Sequence, residues 1–226
     1  MTKEVSRGQA LQIAARVGTQ VDWDKINGGF LQAEVIDLSP EEFGKRFTAF
    51  LKNGCRFIFG EPRTIKTRLF DPVEFLGKGN TIWRGSADGD GLSGEEDVCQ
   101  QSRAIVEVEL SKFVFRNCLK EDEISIIGEE KIRRINEMSD FIGFGLNVFL
   151  GLWEDYETNK ENSALEWLHQ NFGVTFMDFP GVILRSRSGR RHVLYLRRGA
   201  DDKWYWERDQ LSFQWCAGNP SVGCAS

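Results

Sequence analysis

The chain has 226 residues, 41% hydrophobic and 28% charged, the proportions of a globular protein long enough for one large domain or two small ones. Its net charge of −5 offers no general attraction for nucleic acid or anionic lipid, both of which select basic faces. No stretch is apolar enough to span a bilayer, and the start, MTKEVSRGQALQIAARVGTQVDWD, lacks the apolar run of a signal peptide. These features point to a protein that is cytoplasmic as made, with export by a signal-independent route left open.

In chain order, SRGQALQIAARVG places Leu11, Ile13, Ala14 and Val17 at helical spacing before Gly18. LSPEEFGKRFTAFLKNG predicts a second helix. Ser39 suits the N-cap, Pro40 the first turn and Glu41 and Glu42 the positive end of the dipole. Phe43, Phe47, Phe50 and Leu51 form its apolar stripe, and Gly54 stops it. CRFIFG reads as a short strand, which completes an α/β portion over residues 1–60. From Glu61 to Glu96 two of the five prolines and six glycines predict long irregular segments.

AIVEVELSKFVF alternates Ile105, Val106, Val108 and Leu110 with Glu107, Glu109 and Ser111, as a half-exposed strand does. SIIGEEKIRRINEMSDFIGFGLNVFLGLWEDYETN holds one or two helices, with Gly128 before the first. NSALEWLHQNFG predicts another, capped by Asn162 or Ser163 and stopped by Gly173. VTFMDFPGVILRSRSGRRHVLYLRR then reads as two strands about a turn at Ser188-Gly189, and KWYWERDQLSFQW as further extended structure. After the α/β portion, residues 61–226 thus run as loops, then helices, then a β-rich end, which is α+β rather than alternating βαβ.

Chemistry-bearing motifs are few. His169 and His192 are the only histidines, and neither sits in a hydrolase, zinc or nucleotide motif. Cys55, Cys99, Cys118, Cys216 and Cys224 are scattered singly, a pattern of reduced thiols rather than of a disulfide frame or a zinc site. SADGDGLSGEED sets Ser86, Asp88, Asp90 and Gly91 at the first, third, fifth and sixth positions of a calcium loop, with Asp97 at the twelfth. The last position wants a longer Glu, so Asp88, Asp90 and Asp97 are weak metal candidates and a solvated acidic turn is the preferred reading.

The densest aromatic stretch is near the C-terminus. Trp204, Trp206 and Trp215 stand within twelve residues of one another beside Tyr205 and Phe213. Extended backbone puts Trp204 and Trp206 on one face, with Tyr205 and Glu207 on the other. One face can then anchor while the other presents residues that the fold does not dictate. Rigid rings among small polar groups are also what antibody loops use for contact. An aromatic β core with a polar outer face would give the same composition.

TIWRGSADGDGLSGEEDV, FRNCLKEDEISIIGEEKIRRI, FLGLWEDYETNKENSALEWL and the ending VLYLRR…KWYWERDQLSFQWCAGNPSVGCAS resemble a family encoded by small-genome candidate-phylum bacteria. That family is similar to the target, or variable, proteins of diversity-generating retroelements. The resemblance covers roughly residues 55–226. It implies a fixed frame of Trp204, Trp206, Leu211, Trp215, Ala217, Pro220, Ser221, Ala225 and Ser226. It also implies variable places at Tyr205, Glu207, Asp209, Ser212, Phe213, Gln214, Cys216, Gly218 and Asn219, within a diversified segment at about 198–222. Arg208 and Gln210 depart from the family's Tyr and Trp, and SVGCAS replaces its SAVLAS.

In such systems a reverse transcriptase misreads template adenines. An AAC or AAT codon reaches Tyr, Asp, Ser, Phe, Cys and Gly, the residues at 205, 209, 212, 213, 216 and 218, with Asn219 as the unchanged case. Glu207 and Gln214 need AAA or AAG templates. The resemblance further implies a C-type-lectin-like fold and a macromolecular, chiefly protein, ligand, while the lack of catalytic and nucleotide motifs points to no enzyme and no cofactor. Two other readings remain open: a calcium-dependent carbohydrate-binding module using Asp88, Asp90, Glu95 and Asp97, and an enzyme using Cys216 and Cys224.

Overall fold

A computed structural model describes residues 37–52 and 63–226. The chain divides into two compact units, Met1–Phe57 and Ile58–Ser226. The helix expected over SRGQALQIAARVG and the strand expected at CRFIFG lie outside the described residues, as does Cys55.

In the first unit the described stretch is helix α1 (Pro40–Lys52). It starts where the sequence places it. Ser39 Oγ accepts a hydrogen bond from the Glu42 backbone N–H at 3.2 Å, and Phe43 and Phe47 stack one turn apart at 5.8 Å.

The second unit is α+β. Its first part carries short elements between irregular segments: β1 (Thr64–Lys66), α2 (Pro72–Leu76), β2 (Thr81–Ile82) and α3 (Gln100–Arg103). Next come β3 (Glu107–Glu109) and β4 (Phe113–Arg116). The single strand expected over residues 104–115 is therefore two. A 3₁₀ turn at Leu110–Lys112 separates them, burying both Leu110 and Phe113. β3 pairs with β1, whereas β4 joins the main sheet beside the last strand.

β5 (Ser125–Ile127) leads into α4 (Gly128–Asn136), then β6 (Phe141–Gly143) and α5 (Leu146–Asn159). α6 (Ala164–Phe172) is bounded as its sequence dictates. Ser163 Oγ accepts from the Glu166 N–H at 3.2 Å, and Gly173 closes the helix in the left-handed region at φ 67°.

The remaining strands are β7 (Phe176–Asp178), β8 (Leu184–Arg185), β9 (Arg191–Arg198), β10 (Trp204–Gln210), β11 (Gln214–Cys216) and β12 (Ser221–Ala225). β9 is the hub: β10 runs antiparallel along one edge, while β8 and β7 share the other. β12 pairs antiparallel with β4 and β6 and touches β7 in parallel at Ser221 and Asp178.

Residues alternate across this sheet, so each face has its own core. Leu194, Leu196, Met177, Trp204 and Val222 pack with Phe149, Leu152, Leu165 and Leu168 of α5 and α6. Val193 points the other way, into a smaller cluster with Trp83, Ile126, Ile132, Ile183, Leu211 and Trp215. Among the described residues no helix is long and apolar enough to cross a membrane.

Candidate functional site

β10 is anchored through Trp204 and Trp206. Trp204 is buried, its Nε1–H donates to Glu166 Oε1 at 2.9 Å, and its backbone N–H donates to Tyr156 Oη at 3.1 Å. Trp206 is half-buried, at the core's edge, its ring 4.8 Å from that of Phe75 in α2. The odd-numbered residues lie on the opposite face. Tyr205, 39% exposed, pairs across the sheet with Arg197, and Glu207 with Tyr195.

These outward groups form a small polar lattice. Glu207 accepts from Tyr195 Oη at 2.7 Å and from Arg197 Nε at 2.6 Å. The Tyr195 hydroxyl, with help from Arg197, holds the Glu207 carboxyl below its usual range despite partial burial. Tyr205 Oη donates to Asp201 at 2.6 Å, and the Arg197 guanidinium sits 5.5 Å from its ring centroid. Asp209 is half-buried, and that burial pushes its carboxyl up.

After β10 the chain alternates between anchored and presented side chains. Leu211 and Trp215 are 1% and 2% exposed, while Phe213 between them is 51% exposed and Ser212 and Gln214 are exposed too. Helix α4 holds this turn by its backbone. Gly128 N–H donates to Phe213 O at 3.0 Å and Glu129 N–H to Leu211 O at 2.9 Å. These are first-turn donors that no intrahelical acceptor satisfies. Gly128 can approach so closely because a Cβ there would stand 2.8 Å from Leu211.

Cys216 and Gly218 are exposed. A Cβ on Gly218 would meet only Cys216 Sγ, at 3.7 Å, so this place has room for a side chain. Gly223 has none, since a Cβ would lie 2.2 Å from Ile142 O on the adjacent strand. Asn219 behaves differently from its neighbours among the places expected to vary. It is half-buried and closes its own turn, its Oδ1 accepting from the Cys216 N–H at 3.0 Å. Pro220 is half-buried and follows it into β12.

Beneath the surface lies an anchor that sequence reasoning missed. Lys131 of α4 is buried, donates to Asp178 Oδ2 and to Asn219 O (2.6 Å), and sits 4.4 Å from the Trp215 ring centroid. Asp178 also accepts from Ser221 Oγ at 2.6 Å, while its backbone N–H donates to Pro220 O at 3.1 Å. Burial pushes the Asp178 carboxyl up, and Lys131 and Ser221 oppose that. The segment leaving the presented turn is thus tied down by one buried ion pair. Lys131 follows two glutamates in an ordinary helical pattern, so nothing in its sequence marks it.

The other candidates are held elsewhere. Asp97 Oδ2 accepts from Arg191 Nη2 at 3.0 Å, and Asp90 Oδ1 from the Leu92 N–H at 2.9 Å. A hydrogen bond from Ser86 holds the Asp88 carboxyl low. Among the described residues no three His, Cys, Asp or Glu side chains converge as metal ligands. His169 Nδ1 lies 3.0 Å from Val174 O at the end of α6. His192 is buried, its Nε2 has no partner among the described residues, and burial lowers its pKa to about 4. Cys216 Sγ lies 3.2 Å from Asn219 Oδ1, and Cys224 is on β12 with Cys99 as its electrostatic neighbour. Cys99, Cys118, Cys216 and Cys224 are free thiols.

Compared with models of known protein families, with curated proteins and with solved structures, the chain finds no match. The functional reading rests on the residues themselves.

Proposed function

We propose that this chain is a ligand-binding protein whose C-terminal surface is rewritten by retroelement-directed adenine mutagenesis. Its fixed frame is Trp204, Trp206, Leu211, Trp215 and Pro220, and its ligand is a protein. The observation that carries the proposal is the separation of burial within a few residues. Trp204, Leu211 and Trp215 are at most 2% exposed, while Tyr205, Ser212, Phe213, Gln214, Cys216 and Gly218 stand in solvent. A surface that must tolerate replacement needs presented side chains that contribute little to stability and buried ones that do not change. Glu207 and Asp209 face the same way as Tyr205, so the strand adds to that surface.

A C-type-lectin-like scaffold belongs to the same proposal. The β-rich end β7–β12, which follows helices α5 and α6, and the aromatic frame locked to the core support it. Tyr205 and Phe213 are the expected hot spots, being rigid rings with exposed area.

A display library tests this reading. Tyr205, Glu207, Asp209, Ser212, Phe213, Gln214, Cys216 and Gly218 are randomised while the frame is kept, and the pool is selected on an unrelated folded protein. Binders that remain folded, with mutually different residues at these places, are expected. A pool that is mostly unfolded, or that yields no binder, would contradict it.

A further inference from the structure

The opposite side of β10 carries a second site. Among the arginines of residues 63–226, all but Arg63, Arg185, Arg187, Arg190 and Arg208 have a carboxylate of the described residues within 4.0 Å. Four of these five exceptions lie at the end of β8 (Arg185), in the β8–β9 turn (Arg187 and Arg190) and on β10 (Arg208). In a chain with net charge −5, this concentration of unneutralised charge requires an explanation.

Arg187 and Arg208, together with Lys78, line a groove of about 470 Å³ whose walls also include Leu76, Asn80 and the hydroxyl residues Ser186 and Ser188. The described lining contains no carboxylate. The two guanidinium groups are positioned by neutral acceptors. Arg208 Nη1 donates to Asn80 Oδ1 at 3.0 Å, and Arg187 Nη2 to Lys78 O at 3.1 Å. Asn80 is itself buried and fixed, its Nδ2 donating to Leu76 O and Gly77 O, both at 3.0 Å. Gly79, at φ 88°, leaves room for the Arg187 side chain, which would lie 3.2 Å from a Cβ there. Neutral acceptors orient these cations without cancelling their charge. Arginine forks and serine hydroxyls are the donors that fit tetrahedral oxyanions, and a concave wall focuses their field.

We infer that this groove binds a small phosphate or sulfate ester with a polar, non-aromatic body, of the phosphorylated-sugar class. The volume is within the range of small-molecule sites and exceeds what a bare anion fills. The described lining holds no aromatic ring on which a nucleobase would stack. A groove confined to the β8–β9 turn, the end of α2 with the loop after it, and one residue of β10 also differs from the extended basic stripe that a nucleic-acid backbone follows. Because Arg208 faces away from Tyr205, Glu207 and Asp209, the site is independent of the diversified surface.

Thermal unfolding of the full chain tests this at constant ionic strength, with glucose 6-phosphate, glucose 6-sulfate, inorganic phosphate and glucose as probes. Either ester should raise Tm in a saturable way, with apparent Kd at least tenfold below that of inorganic phosphate; glucose should have no effect. The exposed double variant Lys78→Gln with Arg187→Gln should weaken ester binding at least tenfold and leave the unliganded Tm unchanged. A charge-matched control, Arg68→Gln with Lys112→Gln, should bind as the parent does. The inference is overturned if neither ester shifts Tm, if inorganic phosphate binds as tightly, or if the control loses binding equally. Tighter, groove-dependent binding of a single-stranded oligonucleotide would overturn it as well.

Discussion

Replacing Trp204 by Ala should be among the most damaging single changes in the second unit. The ring is 2% exposed, so truncation removes a large buried side chain and leaves a cavity, at about 3–5 kcal/mol. Its Nε1–H bond to Glu166 is lost too, but Glu166 keeps Arg198 at 3.2 Å and is not left as an unpaired charge. The cost should therefore stay near the cavity range. At ~2–4 °C per kcal/mol for a unit of this size, the fall in Tm is roughly 6–20 °C. Trp204→Phe retains most of the packing and isolates the bond to the charged acceptor, worth about 1.5–3 kcal/mol. Phe213→Ala, at a ring 51% exposed, should stay within about 0.5 kcal/mol. Urea unfolding at constant m measures all three. Equal costs for Phe213→Ala and Trp204→Ala would show that anchored and presented residues are one set, and the division between frame and surface would fail.

Lys131→Met should destabilise by about 3–5 kcal/mol, since it strands the buried Asp178 carboxylate; a loss under 1 kcal/mol in urea unfolding would show that the pair is no anchor. Gly218→Ala should be neutral within about 0.5 kcal/mol, whereas Gly223→Ala should cost about 1–3 kcal/mol because a Cβ meets the Ile142 carbonyl. Comparable melting temperatures for the two glycine variants would refute that contrast. His192 titrates near 6.5 when unfolded and at about 4 when folded. Between those values the unfolded chain binds a proton that the native chain does not, so stability falls as pH falls, by up to about 3 kcal/mol. His192→Gln should flatten the unfolding free energy between pH 6.5 and 4; an unchanged slope would place the acid sensitivity elsewhere.

Local signals placed the elements they could reach. Ser39 with Pro40, and Ser163 with Gly173, mark helix ends by hydrogen-bonding chemistry that needs no tertiary context. Alternation in KWYWERDQ separates Trp204 from Tyr205 for the same reason, because side chains on extended backbone alternate by geometry alone. The break at Leu110–Lys112 was not legible. Alternating apolar residues fit one long strand as well as two, and the choice is made by Phe113 entering the core while β4 pairs with a strand over a hundred residues later. Lys131 and Asp178 were hidden likewise, since a buried ion pair is a relation between two ordinary residues 47 positions apart. The acidic turn matched a calcium-loop spacing, but the pattern could not show that Asp97 is engaged by Arg191 from β9. The aromatic frame was visible in composition, and only the resemblance of the ending gave its filling a meaning.

The central claim is that the presented residues are products of templated mutation, and DNA sequence tests it most directly. The codons for residues 198–226 are to be compared with the neighbouring genomic sequence. The account predicts a near-copy beside a reverse-transcriptase gene, differing from the coding copy at template adenines in the codons for residues 205, 207, 209, 212, 213, 214, 216 and 218. The Trp204, Trp206, Leu211, Trp215 and Pro220 codons should be identical in both copies. A near-copy whose differences fall on the frame codons or on template bases other than adenine would contradict it, as would a neighbourhood with neither repeat nor reverse transcriptase.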